Sequence, residues 1–370
     1  MNNISPSMRT ALIFAAAIAL PFVGHNGGFT NFLADAGAFV LLALGLNIVV
    51  GFAGLLDLGY AAFFAIGSYS FAMLASPQYG IHLPFWVVLF LASGIAAVFG
   101  ILLGAPTLRL RGDYLAIVTL GFGEIVPQTF LNLTQWTGGP NGIGSLDQPT
   151  ILVPNVGAHA SAGIFTTYKF GFDALPYYFT VLALIALAVW VASNLRNSRL
   201  GRAWMAIRED ELAAAHMGIN TTTAKLAAFA LGASFSGLAG CALASKLQLV
   251  SPDQFGFNVS VYILAMLVLG GMGNIPGVIV GSLILSSLER FILPQATNFI
   301  HGLQIPGVDL SHVDLSNSRF MIYGVILVLM MLFRPEGLIP SGQRKAELHA
   351  ADADDAAAAH EQELYSGAAH

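Results

Sequence analysis

Residues 85–104 read FWVVLFLASGIAAVFGILLG, a stretch without a charged side chain that is long enough to cross a membrane as a helix. Similar apolar stretches recur along the chain. The 370 residues are 56% hydrophobic and 9% charged, whereas soluble domains carry about 25% charged residues. This composition predicts an all-α protein, a polytopic transmembrane helical bundle.

Ten spans are predicted, and they make residues 1–340 one transmembrane domain. The first span follows Arg9 and could be a signal peptide, but no clear small-residue cleavage site follows it, so we expect an uncleaved span. Residues 341–370 hold six of the 20 acidic residues and lack core-forming periodicity, which predicts a disordered acidic tail. The predicted spans are 9–24, 33–51, 58–75, 85–104, 113–133, 176–193, 223–246, 258–270, 274–293 and 318–333.

The distribution of basic residues predicts the orientation of these spans. An even number of spans leaves both termini on one side of the membrane. With the N-terminus inside, 11 of the 15 Lys and Arg residues face the cytoplasm, so we expect both termini, and the tail, to be cytoplasmic. Two long loops, about 134–175 and 294–317, would then be external. The turn-rich TGGPNGIG at 137–144 is either a tight external turn or part of a rim for an external partner.

A charged segment, SRLGRAWMAIREDELAAAHMGIN at 198–220, interrupts the apolar sequence. Leu200, Ala203, Trp204 and Ile207 have the spacing of one helix face, which predicts a helix along the membrane interface. Trp204 is expected to lie at the level of the lipid headgroups.

A second short helix should follow, with Asp210 as its N-cap and Gly218 as the residue that ends it. The alternative is an ordinary charged loop that obeys the positive-inside rule. Two caps around an alanine face favour a docking surface for a cytoplasmic partner. The candidate coupling residues are Trp204, Arg208, Glu209, Asp210, Glu211, Ala213, Ala214, Met217 and Gly218.

Several kinds of chemistry lack a sequence signature here. None of the four lysines follows a glycine, so the chain has no P-loop of the GK[ST] type, and it has no HExxH or GxSxG motif. The single Cys241 excludes an internal disulfide and a cysteine-based metal cluster. We therefore predict that the chain is no enzyme and holds no metal or cofactor. Active transport would need another subunit or an ion gradient.

Two clusters of glycines and one intramembrane carboxylate are candidates for the transport pathway. Such glycines allow close helix packing, and as groups they favour broken helices around a gate. Glu124 lies near the middle of a span, where it is either a functional group or a structural glutamate that contacts Asn47 or Gln128. The candidate pathway or gate residues are Asn47, Gly54, Asp57, Gly59, Glu124, Gly271, Gly273 and Pro276.

Four blocks of the sequence resemble the permease subunits of ABC importers for branched-chain amino acids, a family of binding-protein-dependent importers. They are LGLNIVVGFAGLLDLGYAAFFAIGSYSFAML at 44–74, PTLRLRGDYLAIVTLGFGEIV at 106–126 with the following WTGGPNGIG, the charged segment 198–220, and LVLGGMGNIPGVIVGSLIL at 267–285. With their connectors they span about residues 40–335. The resemblance implies that 198–220 is the cytoplasmic coupling element, with Glu211-Leu212-Ala213-Ala214 in place of the family's Glu-Ala-Ala start.

The resemblance also implies the partners. They are a second homologous permease subunit, two cytoplasmic ATPase subunits that bind ATP, a periplasmic amino-acid-binding protein and the lipid bilayer, with no nucleic acid. The predicted function is therefore that of a permease subunit in the bacterial inner membrane, importing leucine, isoleucine, valine or related neutral amino acids. A urea or short-amide permease of the same family is one alternative. An ion-coupled secondary transporter with Glu124 as relay is another.

Overall fold

The computed structural model describes residues 14, 17–22, 27–107, 113–154, 165–171, 173–302 and 318–340. Helices dominate these residues, which confirms the predicted fold class. The helices are α1 (Gly27–Leu46), α2 (Tyr60–Leu74), α3 (Phe85–Thr107), α4 (Asp113–Asn132), α5 (Ala174–Asn197), α6 (Arg199–Glu209), α7 (Glu211–His216), α8 (Thr221–Leu247), α9 (Phe257–Gly270), α10 (Ile275–Ser287), α11 (Leu293–Gly302) and α12 (Arg319–Phe333). Two π-helical segments, Asn47–Phe52 and Leu288–Ile292, extend α1 and join α10 to α11.

Seven helical segments in the described part of the chain are long and apolar enough to cross a membrane, and α2 and α12 are shorter apolar helices. Every predicted span from 33–51 onward has a helix as its counterpart. The first predicted span lies largely outside the described residues, of which 17–22 are helical. The predicted tail at 341–370 also lies outside them. The count of ten spans and the cytoplasmic termini stay predictions. The seven segments are Gly27–Phe52, Phe85–Thr107, Tyr114–Asn132, Ala174–Asn197, Thr221–Leu247, Pro252–Gly270 and Ile275–His301.

The two predicted external loops are more regular than expected. The segment 134–175 contains a helical turn at Thr134–Thr137 and the antiparallel strands β4 (Thr150–Pro154) and β5 (Phe165–Lys169). The predicted loop 294–317 begins with helix α11, and its residues 303–317 lie outside the described part. Continuous backbone pairing in the π-helical segment Leu288–Ile292 carries the preceding helix into α11, and the apolar pattern did not reveal this extension.

Helix α8 forms the centre of the bundle and packs against α1, α2 and α3. Its small residues permit close approach of the backbones: a Cβ atom on Gly237 would lie 2.9 Å from the Ala92 carbonyl oxygen of α3. The Tyr60 hydroxyl of α2 donates a 2.8 Å hydrogen bond to the Gly232 carbonyl of α8. Helix α1 is buried almost all round, which explains why it is apolar on every face.

Helices α3 and α12 show the opposite distribution, because large apolar side chains cover their outward faces. Phe90 is 66% exposed and Leu102 60% exposed on α3, and Leu332 and Phe333 are 71% and 79% exposed on α12. A soluble monomer rarely exposes contiguous apolar surface of this kind. These faces suit contact with lipid.

The connections between helices fall into two groups at opposite ends of α2. One group contains the short pairs β1 (Ala75–Ser76) with β2 (Ile81–His82) and β3 (Ile143–Gly144) with β6 (Leu249–Val250). We call this end the outer end, as the predicted orientation does. The other group contains 53–59, the coupling element and 271–274. We call it the coupling end.

Candidate coupling surface and helix breaks

The charged segment 198–220 forms two helices, as predicted, and the second has the predicted caps, while the N-cap of the first is an addition. Ser198 is the N-cap of α6, and its hydroxyl accepts a hydrogen bond from the Gly201 N–H at 3.1 Å. Asp210 is the N-cap of α7, and its Oδ1 accepts from the N–H groups of Leu212 at 2.8 Å and Ala213 at 3.0 Å. Each side chain satisfies N–H groups that the first turn of a helix leaves free.

Gly218 ends α7 in the left-handed conformation that the sequence predicts, with φ of 85°. The Gly218 N–H donates to the Ala215 carbonyl at 3.0 Å, and the Ile219 N–H donates to the Ala214 carbonyl at 3.1 Å. This pair of hydrogen bonds is a Schellman motif, in which a left-handed residue at C′ satisfies the last carbonyls of a helix. The end of α7 is therefore fixed by its own sequence.

Three predicted coupling residues direct their side chains towards other residues of this chain and not towards a partner. The predicted lipid contact of Trp204 is wrong, because the side chain is fully buried and its Nε1 donates to the Ala224 carbonyl of α8 at 2.6 Å. Ala214 is only 4% exposed. Glu211 forms an ion pair of 2.6 Å with Lys225, a buried residue of α8 that the sequence analysis did not select. These contacts attach α6 and α7 to the central helix.

The outward surface of α7 consists of other side chains. Met217 is 83% exposed and Leu212 is 55% exposed. Glu209, Asp210, Ala213 and Gly218 are exposed too. The sequence analysis did not select Leu212. Its position directly after the acidic run and between the two cap residues of α7 was a signal for it. We define the coupling surface as Leu212, Ala213, His216 and Met217, all exposed at this end of the chain.

Arg208 connects the coupling element to the end of the first described span. Its Nη1 donates a 2.8 Å hydrogen bond to the carbonyl of Gly51, in the π-helical segment that extends α1. Gly54 follows with φ of 69°, and a Cβ atom there would lie 2.7 Å from Arg208 Cγ. Carbonyls at a helix end lack intrahelical donors, so a guanidinium is a suitable partner. A displacement of α6 would therefore change the position of this helix end.

Residues 47–59, a π-helical segment followed by non-helical residues 53–59, join α1 to α2, and we call them the first break. They contact the second break, residues 271–274 between α9 and α10. Asn47 is fully buried, and its Oδ1 accepts a 2.8 Å hydrogen bond from the Gly273 N–H. A Cβ atom on Gly51 would lie 2.7 Å from the same nitrogen. Gly271 and Gly273 both have positive φ, at 111° and 80°. The structure thus brings these predicted gate glycines together.

Contacts with the end of the described chain hold the second break. The Leu338 N–H donates to the Leu269 carbonyl at 2.9 Å, and Asn274 Nδ2 donates to the Ile339 carbonyl at 2.8 Å. Pro276 lies in the first turn of α10, where its missing N–H costs no helical hydrogen bond.

Asp57 and Gly59 join the first break to α4. Asp57 is buried, and its Oδ1 accepts from the Gly59 N–H at 2.9 Å. The Leu58 N–H donates to Thr119 Oγ1 at 3.1 Å. A Cβ atom on Gly123 would lie 2.8 Å from Gly59 Cα. The first break therefore packs closely against the buried face of α4.

Glu124 follows Gly123 and lies on the exposed face of α4, with Gln128 on the same face. Its predicted contact with Asn47 is wrong, because Asn47 Nδ2, the group that would donate to a carboxylate, is buried without a hydrogen-bond partner, and Asn47 Oδ1 accepts from Gly273. A membrane-spanning glutamate on an outward face avoids lipid by facing an aqueous path or another subunit. Within the described residues, no group of three His, Cys, Asp or Glu side chains could hold a metal ion.

The apolar spans, the glycine-rich connections packed between them and the exposed short helix α7 suit a membrane transport protein, and the comparisons with known proteins agree. Residues 28–332 match the family of branched-chain amino acid transport system permease components. The chain belongs to this family, which confirms the resemblance carried by the four sequence blocks. Membership of a permease family and the seven membrane-crossing segments among the described residues confirm the predicted multi-pass membrane location.

Individual relatives support the assignment. The permease protein LivM of the high-affinity branched-chain amino acid transport system of Salmonella typhimurium is 39% identical, with 94% of this chain and 80% of LivM covered. LivM of Escherichia coli K12 is also 39% identical, with 94% and 78% covered. LivH of Escherichia coli K12, a permease protein of the same system, is 27% identical, with 81% and 91% covered. No solved structure matches the chain with significance.

Proposed function

We propose that this chain is the membrane-spanning permease subunit of an ATP-driven importer for branched-chain or related neutral amino acids in the bacterial inner membrane. Its partners are a second homologous permease subunit, two cytoplasmic ATPase subunits and a periplasmic amino-acid-binding protein. The chain holds no cofactor, since ATP is bound by the ATPase subunits. Residues 1–340 form the permease domain, with external loops at about 134–175 and 294–317, and residues 341–370 form a cytoplasmic tail.

One observation carries this proposal. The exposed coupling surface on α7 continues into α6, and Arg208 of α6 donates to the Gly51 carbonyl at the first helix break. An ATPase subunit that moves α7 would pull on this break through one side chain. From there the contacts continue through Gly59 to Gly123, one residue before Glu124. The pathway would lie along α4 and the two breaks.

A double substitution of the coupling surface tests the proposal. Leu212→Asp with Met217→Asp places two charges where apolar contact is expected, and both positions are exposed, so the fold should persist. Complexes purified through a tag on this chain should lose the ATPase subunits, and uptake of leucine should fall to background. Leu249→Asp is the matched control, because Leu249 is 42% exposed at the outer end. Normal ATPase recovery and uptake in the double variant would refute the coupling role.

The two alternatives predict different results. A urea or short-amide permease would need the same ATPase subunits, but cells would accumulate urea or amides and not leucine. An ion-coupled transporter would accumulate substrate without ATPase subunits, and an uncoupler would stop it at constant ATP. The exposed surface on α7 favours the ATP-driven class over the ion-coupled one.

A further inference from the structure

A carboxyl group is buried in the first break. Asp57 lies in the non-helical part of this connection, at the coupling end, and is 1% exposed. Its Oδ1 atom accepts a hydrogen bond from the Gly59 N–H at 2.9 Å, whereas Oδ2 is buried and has no hydrogen-bond partner in the part of the chain that the structure describes. A buried carboxylate without a cation or a full set of donors is costly. This position therefore favours the neutral acid.

The neighbours of Asp57 in α2 and α4 carry no positive charge. Tyr60 follows it at the start of α2, and the Tyr60 hydroxyl donates to the Gly232 carbonyl of α8 at 2.8 Å. Thr119 lies on the buried face of α4 and is uncharged, whereas Glu124 lies on the exposed face of this helix. Neither titratable group, the tyrosine nor the glutamate, stabilises a negative charge on Asp57.

Two cations of the coupling end have other partners. Lys225 of α8 pairs with Glu211 of α7 at 2.6 Å. Arg208 of α6 approaches the first break, where its Nη1 donates to the Gly51 carbonyl. Asp57 forms no ion pair with a described residue, and no positive charge lowers its pKa.

Burial raises the pKa of the Asp57 carboxyl to about 7, and the Gly59 N–H and the Thr119 hydroxyl lower it only in part. In water an aspartic acid has a pKa of about 3.9. Between these two values the described conformation binds a proton that an opened, hydrated break would not bind. The proton-linked preference for the described conformation is therefore complete below about pH 4. It falls by up to about tenfold per pH unit as the pH rises, and no further above about pH 7.

The packing of the first break links ionisation of Asp57 to opening. Oδ1 of Asp57 accepts from the Gly59 N–H, and the Leu58 N–H donates to Thr119 Oγ1 at 3.1 Å, so this connection lies directly on α4. A Cβ atom on Gly123 would lie 2.8 Å from Gly59 Cα, which shows how closely the two backbones approach. A charged Oδ2 needs water or another donor, and this packing must loosen before either can reach it.

We propose that Asp57 is a proton-binding site of the first break, which holds a proton in the described conformation and releases it at the coupling end when the break opens. On opening, the O–H bond of the acid breaks, its electron pair stays on the carboxylate, and water accepts the proton. On closure Asp57 takes a proton from the same side, so no proton crosses the membrane and the role differs from ion-coupled transport. The opening itself rests on the proposed function, in which α6 moves this connection.

A thiol reporter provides the first test. Ala53→Cys places a thiol at a buried position of the first break, in the full chain in lipid nanodiscs with the native thiol removed by Cys241→Ala. The rate of alkylation is measured with Asp57 and with Asp57→Asn, which keeps the shape of the neutral acid. The ratio of the two rates cancels the pH dependence of the thiol, and it should rise about tenfold between about pH 5.5 and pH 7 and then level off.

Asp253→Asn is the matched control for this test, because Asp253 is exposed at the outer end. Its alkylation rate should follow the wild-type rate at every pH. A ratio of wild type to Asp57→Asn that is constant over the whole pH range would overturn the proposal.

Infrared spectroscopy of the full chain in nanodiscs observes the proton directly. The difference spectrum between wild type and Asp57→Asn at about pH 6 should contain the C=O stretch of one protonated carboxylic acid. This band should disappear as the pH rises, with a midpoint at about 7. The difference spectrum between wild type and Asp253→Asn should lack it. Carboxylate bands without an acid band at pH 6 would refute the assignment.

Uptake by the complete importer in proteoliposomes tests the role of the proton in transport. The ratio of wild-type to Asp57→Asn leucine uptake should rise by up to about tenfold as the pH on the coupling side is raised from about 6 to about 8. An uncoupler should change neither rate at constant ATP and buffered pH. A constant ratio would overturn the proposal. Absence of uptake by the correctly assembled wild-type importer would contradict the proposed function instead, and the thiol and infrared tests would still decide whether Asp57 binds the proton.

Discussion

Arg208→Met tests the link between the coupling element and the first helix break. The substitution keeps a long side chain but removes the hydrogen bond to the Gly51 carbonyl. A hydrogen bond to a charged group contributes about 1.5–3 kcal/mol, and the lower value applies because Arg208 is only partly buried. Since about 1.4 kcal/mol corresponds to a factor of ten, loss of this link should lower leucine uptake about tenfold. The coupling surface itself stays unchanged.

The assay compares uptake, ATP hydrolysis and ATPase recovery in proteoliposomes that contain the complete importer. Arg208→Met should retain its ATPase subunits and their basal hydrolysis, but stimulation by the loaded binding protein should fall about tenfold together with uptake. Arg202→Met is the matched control. The Arg202 guanidinium also lies on α6, but it donates to the Asn197 carbonyl at the end of α5 and not to the first break. Wild-type uptake by Arg208→Met would refute the reasoning, and loss of the ATPase subunits would show that Arg208 belongs to the docking surface.

Two further substitutions test other parts of the site. Gly218→Val should cost about 1–3 kcal/mol locally, because a β-branched residue resists φ of 85°, and it should reduce ATPase recovery. Gly80→Val, also at positive φ but at the outer end, should leave recovery unchanged, and equal effects of the two would contradict the role of the α7 end. Glu124→Gln keeps hydrogen-bonding capacity, so uptake should fall only modestly. Abolished uptake at normal protein level, with uncoupler sensitivity at constant ATP, would favour ion coupling.

Local features of the site were predictable because they depend on neighbouring residues. Apolar length predicted the spans, and the caps at Asp210 and Gly218 follow from residue types with strong conformational preferences. The glycine clusters correctly indicated non-helical backbone around 54–59 and 271–273, while their role in a gate stays a prediction. Each of these patterns is complete within a short stretch of sequence.

Long-range contacts were not predictable in the same way. The apolar stripe that contains Trp204 suits a lipid surface and a protein surface equally, and only the position of Ala224 on α8 decides between them. The burial of Ala214 likewise depends on the central helix, since a short alanine run has no preferred face. The outward direction of Glu124 depends on Gly123 packing against Gly59. These outcomes require tertiary structure.

The central position of α8 has a consequence for biogenesis. The ribosome produces α1, α2 and α3 well before α8, yet the Tyr60 hydroxyl finds its acceptor on Gly232, 172 residues further along the chain. Until α8 inserts, this hydroxyl and the small-residue grooves of the earlier helices face lipid or the translocation machinery. The early spans therefore lack their contacts with α8 until that helix inserts, and during this time quality-control proteases can recognise them. Nascent chains that stop before α8 should be degraded, whereas chains that stop after it should persist.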